Sequence, residues 1–70
     1  MNTTRIRQAL DMARIIIMAD VESIEERSCE HYPAGGTPRI ETMDPLAIPE
    51  HRRCLLAVKL IDEALKEIEA

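Results

Sequence analysis

Seventy residues with one tyrosine, no phenylalanine and no tryptophan leave room for one small domain, and exclude barrels and two-halved dinucleotide-binding sheets. The core must come from Ile, Leu, Val, Met and Ala, and a core of this size rarely nets more than about 3–5 kcal/mol without a staple, a metal or a partner subunit. Thirteen acidic residues against nine basic ones give a net charge of −4, which argues against direct nucleic-acid binding, where a basic face supplies the affinity.

The first predicted element is a helix over residues 4–30, capped by Thr3 or Thr4. Its apolar residues Ile6, Leu10, Ala13, Ile17, Val21 and Ile24 recur in steps of three and four. No glycine or proline interrupts the chain from Asn2 to Tyr32. The run Ile15-Ile16-Ile17-Met18-Ala19 points apolar side chains all round the helix, more than one partner helix can cover. It is also far too short to span a membrane. The opening Met-Asn-Thr-Thr-Arg leads straight into a charged periodic segment, so the expectation is a cytoplasmic protein with no membrane partner and reduced cysteines.

Residues 31–48 read as a long connecting loop, because Pro33, Pro38, Pro45, Gly35 and Gly36 all fall there and no period survives. Asp44-Pro45 has the form of a helix cap followed by a first helical position. The second helix is predicted over 49–69, with Pro49 at its start. Cys54, Val58, Ile61, Leu65 and Ile68 form a seam at alternating steps of four and three, and Leu56, Leu60 and Ala64 form a second strip beside it. The expected fold is all-α: an antiparallel helical hairpin with a long loop, completed by homo-oligomerisation that covers the doubled stripes.

Two constellations could carry chemistry. Gly35-Gly36-Thr37-Pro38-Arg39 offers an anion nest, with a hydroxyl from Thr37 and a guanidinium fork from Arg39; Tyr32 just upstream could stack on a base, and Arg52 opens the second helix near the same end. A turn that binds nothing is the plainer alternative, and pairing with Glu26 or Glu30 is the plainer role for Arg52 and Arg53. The second constellation is Cys29-x-His31 with His51-x-x-Cys54, the chain's only cysteines and histidines, which a hairpin would bring to its loop end as a tetrahedral zinc set. Against it, Cys29 and His31 are closer in sequence than common zinc ligands, and Cys54 fits the apolar seam without a metal. Ser23 and Ser28 have no convincing histidine beside them, and the pairs Glu25/Glu26 and Asp62/Glu63 read as solvated faces. The sequence therefore gives no catalytic residues, no cofactor and a non-enzymatic protein.

From Pro49 to Ala64 the chain resembles the closing helix of phage anti-CBASS cyclic-nucleotide sponges, through Pro49, Arg52, Leu56, Ala57, Asp62, Glu63 and Ala64. It departs from that family at Arg53, where a Glu is usual, at Glu67, where a Trp is usual, and in the length of its loop. The resemblance implies a helical hairpin that assembles into oligomers and sequesters a cyclic nucleotide between subunits in the host cell cytoplasm. In that role Arg39 and Arg52 would neutralise phosphate, Gly35 and Gly36 would donate N–H groups, and Tyr32 would stack on a base. The chain is also similar to small acidic helical accessory proteins of phages. That implies the alternative of an acidic interaction module, or inhibitor, that binds a protein complex.

Overall fold

The computed structural model describes residues 2–33 and 35–69. Two helices joined by a loop make up most of it: α1, Thr3–Ser28, and α2, Ile48–Glu69. Between them run two two-residue strands, β1 at Glu30–His31 and β2 at Pro38–Arg39, and a 3-10 turn at Ile40–Thr42. Ala34, in the connecting loop, lies outside the described residues.

α1 begins one residue before its predicted start, and its cap is neither threonine. Asn2 holds an extended backbone, and its side-chain oxygen accepts from the N–H groups of Thr4 and Arg5 at 3.1 and 3.3 Å. Asn ranks above Thr as an N-cap, because its short amide reaches the orphan donors of the first turn. The helix also ends two residues earlier than predicted. Cys29 turns extended, and Glu30 and His31 leave the helix to pair with Arg39 and Pro38 in an antiparallel ribbon. Pro38 has no N–H to give, a loss that a two-stranded ribbon with two open edges tolerates.

The loop is thus organised rather than structureless. The N–H of Asp44 donates to the carbonyl of Ser28 at 2.8 Å, which satisfies one of the carbonyls that α1 leaves unpaired at its end. The Asp44 carboxylate accepts from the N–H of Leu46 at 2.9 Å, and the turn that follows leads into α2 one residue before Pro49.

The two helices lie against each other along their apolar stripes. Every residue of the predicted α1 stripe is at least half-buried, as is every residue of the predicted α2 seam. Val21, Ile24 and Val58 are buried, with Met43 contributed by the loop. Ile24 is the most enclosed, at 1% exposure, a burial worth about 1.5–3 kcal/mol over an exposed position. Two polar contacts tie the helices: Arg14 donates from Nε to Asp62 at 2.8 Å, and His51 Nε2 lies 2.8 Å from Glu25. Contacts that advance along α1 therefore retreat along α2. Met12, Ile15, Ile16, Leu56 and Leu60 stay exposed.

Candidate functional site

The ribbon gathers most of the residues that the sequence singled out. Its turn closes through two backbone bonds: the N–H of Tyr32 donates to the carbonyl of Thr37, and the N–H of Gly36 donates to the carbonyl of Tyr32, both at 3.3 Å. Gly35 takes a φ of +68°, a left-handed conformation that glycine reaches without the Cβ penalty other residues meet. Gly36 is tight for another reason, since a Cβ there would sit 3.2 Å from the Cβ of Tyr32.

This arrangement bears on the expected anion nest. A nest needs successive N–H groups aimed outward, and the Gly36 N–H is already engaged inside the turn. Thr37 contributes its carbonyl to the turn. Arg39 lies over the Tyr32 ring with its guanidinium carbon 5.4 Å from the ring centroid, within cation–π range. The same guanidinium donates from Nε to Glu41 at 3.2 Å, so part of its charge is answered within the chain. That bond and, more strongly, the Glu41 backbone N–H hold the Glu41 carboxyl below its ordinary pKa. Arg52 is exposed on the first turn of α2 and makes no hydrogen bond with the ribbon residues. Among the described residues neither Arg52 nor Arg53 has an ion-pair partner, so the expected pairing with Glu26 or Glu30 is not made. The described residues enclose no pocket at the ribbon or elsewhere.

The zinc alternative fares differently for each of its four residues. Cys29 is half-buried at the end of α1, His31 is exposed on β1, Cys54 is half-buried on α2, and His51 is buried. Among the described residues no three His, Cys, Asp or Glu side chains come together as a metal-holding group, so the quartet is not assembled. The physical reason is that His51 faces inward to Glu25. Its Nε2 is engaged by the Glu25 carboxyl at 2.8 Å. Desolvation, with the negative charges of Glu25 and Glu41 nearby, pushes the Cys29 thiol above its ordinary pKa, away from the thiolate that a metal or an electrophile needs.

The His51–Glu25 pair is the feature that the sequence reading missed, yet a signal was present. His51 stands three residues before Cys54, so it continues the α2 seam backwards in the same alternating steps. A histidine on an apolar seam needs a buried partner, and Glu25 lies beside the α1 stripe next to Ile24.

Among the described residues no helix is long and apolar enough to cross a membrane. Comparison with protein-family models, curated proteins and solved structures gives no match to this chain.

Proposed function

We propose that the chain is a non-enzymatic binding protein that works as an assembly, an antiparallel helical hairpin completed by self-association that presents an acidic surface to a protein partner. The observation that supports this reading is where the surface chemistry lies: the described residues enclose no pocket, while large apolar side chains stand exposed on both helices. Surfaces of this kind recognise other surfaces, whereas small ligands are held in concave sites that bury most of them. The late half of α1 adds exposed Asp20, Glu22 and Glu26, none with an ion-pair partner among the described residues. These carboxylates suit a basic target, such as the nucleic-acid channel of a defence complex. Stoichiometric capture of a protein partner by wild-type chain, lost in a Glu22→Lys/Glu26→Lys variant that keeps its helix content, is the expected result. Capture that survives the double reversal removes the acidic-surface reading.

Sequestration of a cyclic nucleotide is the second reading, and the Tyr32–Arg39 stack is the observation in its favour. That pair offers an aromatic plane beside a guanidinium at one exposed edge. The engaged Gly36 N–H and the Glu41 carboxylate weigh against it. Isothermal titration with a panel of cyclic mono-, di- and trinucleotides separates the two readings. Heat that disappears in Tyr32→Ala and Arg39→Ala favours the nucleotide; no heat with any member rejects it.

A further inference from the structure

Several of the exposed apolar residues fall in line, among them Met12, Ile16, Leu56 and Leu60. On α1, Ala9, Met12, Ile16 and Ala19 are all exposed and follow one another at steps of three, four and three, a second helical stripe; Ile15, also exposed, points away from α2 and outside that stripe. At about 100° per residue this stripe lies roughly 120° round the helix from the one that meets α2. On α2, Ala57, Leu60 and Ala64, with Leu56 beside them, are displaced from their seam by about the same angle in the same rotational sense. Because contacts that advance along α1 retreat along α2, equal rotations bring both stripes to the same side of the two-helix layer. With Arg14 level with Asp62 and Glu25 level with His51, Met12 is level with Ala64, Ile16 with Leu60 and Ala19 with Ala57. The opposite side of the layer carries Arg7, Asp11, Glu22, Arg52, Lys59 and Lys66, all exposed. One side of the layer is mainly apolar, with exposed Asp20 within it, and the other is mainly charged, with exposed Leu55 within it.

We propose that the apolar side is the seat of a second copy of this chain, related by a two-fold axis perpendicular to the helices at the level of Ile16 and Leu60, so that the pair forms an antiparallel four-helix bundle. This rests on and deepens the self-association in the reading above; Glu26 is shared with its acidic surface, whereas Arg53 and Glu67 are not, so they carry the deciding charge test. The face is self-complementary under that operation. On α1, Ile16 falls beside Ile16 of the second copy next to the axis, and Met12 falls opposite its Ala19, a large residue against a small one. On α2, Leu60 meets Leu60 of the second copy, and Leu56 meets its Ala64. The charges at the ends of the stripes match as well: Arg5 falls opposite Glu26 of the second copy, and Arg53 opposite its Glu67. All four are exposed, and none has an ion-pair partner among the described residues. Arg53 and Glu67 are thereby accounted for together. From Arg5 to Ser23 the face is about 27 Å long and two helices, about 20 Å, wide. The flat outline of that patch is about 540 Å², at the small end of specific interfaces, which bury roughly 800 Å² per partner at standard size.

Sedimentation velocity over a hundredfold range of concentration tests the proposal. The expected mass is twice the 7.9 kDa of one chain. Ile16→Glu and Leu60→Glu should each give the single-chain mass, and Lys59→Glu on the charged side should keep the pair. Arg53→Glu should weaken association by about three- to tenfold, and adding Glu67→Arg should restore it, since exposed ion pairs contribute up to about 1 kcal/mol each and two are made per pair. The charge exchange leaves the packing untouched, so it decides the matter even where a Glu variant loses helix by circular dichroism. A wild-type mass that stays at one chain overturns the proposal. So does a pair indifferent to both Glu variants, a mass above two chains, or an Arg53→Glu defect that Glu67→Arg leaves unrepaired.

Discussion

The half of the molecule next to the loop and the half away from it are built from similar helices but held in different ways. Val21, Ile24, Met43, His51 and Val58, the buried residues among those described, all belong to the loop half. There the loop folds back, the Asp44 N–H closes the end of α1, and the His51–Glu25 bond is sheltered. Beyond Val21 towards the start of α1, and beyond Val58 towards the end of α2, apolar residues are only half-buried, and the cross-link is the solvent-facing Arg14–Asp62 pair. Two facing helices alone shield each other on one side. A third element is needed to close a core, and in this chain only the loop half has one.

The largest test of that contrast is truncation of one core residue from each half. Ile24→Ala should cost about 3–4 kcal/mol in urea unfolding, as removal of a fully enclosed aliphatic side chain leaves a cavity that the surroundings only partly fill. Leu65→Ala, at a half-buried seam position, should cost about 1–2 kcal/mol. Equal costs would mean that the two halves are packed alike and would break the comparison.

The polar cross-links give the next largest effect. His51→Ala leaves the Glu25 carboxylate at a site where it is about one quarter exposed, without its partner, and should cost about 2 kcal/mol. Arg14→Ala removes a pair whose side chains are more than two-fifths exposed, and should cost under about 1 kcal/mol after screening by solvent. Raising the salt concentration sharpens the difference: it should shrink the Arg14 effect and leave the His51 effect nearly unchanged.

The same contrast explains what was legible in advance. Helix existence and the buried stripes came from periodicity, because steps of three and four are enforced by the 3.6-residue turn wherever two helices meet. Ile17, Val21, Ile24, Val58 and Leu65 were therefore readable one by one. The loop was not. Its order rests on bonds such as the Asp44 N–H to the Ser28 carbonyl and the Glu30 N–H to the Thr42 hydroxyl, which join groups far apart in sequence and leave no period. Met43 looked like one more loop residue and is part of the core. The candidate site was half legible: proximity in sequence was enough to put Tyr32, Gly36, Thr37 and Arg39 in one turn. Which N–H groups that turn would use up could not be read, and that decides whether an anion is held.

Thr42 carries the next prediction, because its hydroxyl joins the ribbon to the 3-10 turn. It donates to the carbonyl of Arg39 at 2.6 Å and accepts from the N–H of Glu30 at 2.8 Å. Thr42→Val keeps the shape and removes both bonds; water can replace one at this edge, so the expected cost is about 1 kcal/mol, with Thr42→Ser near wild type. Hydrogen exchange should then quicken at Glu30 and Tyr32 while Ile24 stays protected. If Ile24 quickened equally, the loop and the core beneath it would open as one unit, and the loop half would be a single cooperative block.

Glu41 gives the smallest effect and the finest division within the loop half. Its carboxyl lies below the ordinary value chiefly because its own backbone N–H donates to it, and secondarily because Arg39 does. A folded value below the unfolded one means that the unfolded chain binds more protons, so the contribution is present above the unfolded value and is lost as pH falls through the folded one. A carboxyl-carbon titration by NMR should find Glu41 below a reference glutamate. Arg39→Ala should move it only part of the way back, because the 3-10 turn, not the guanidinium, holds the larger share. Full return to the reference in Arg39→Ala would make the Tyr32–Arg39–Glu41 stack the organiser of this end. The backbone order of the loop would then depend on the side chains that the turn now places beside one another.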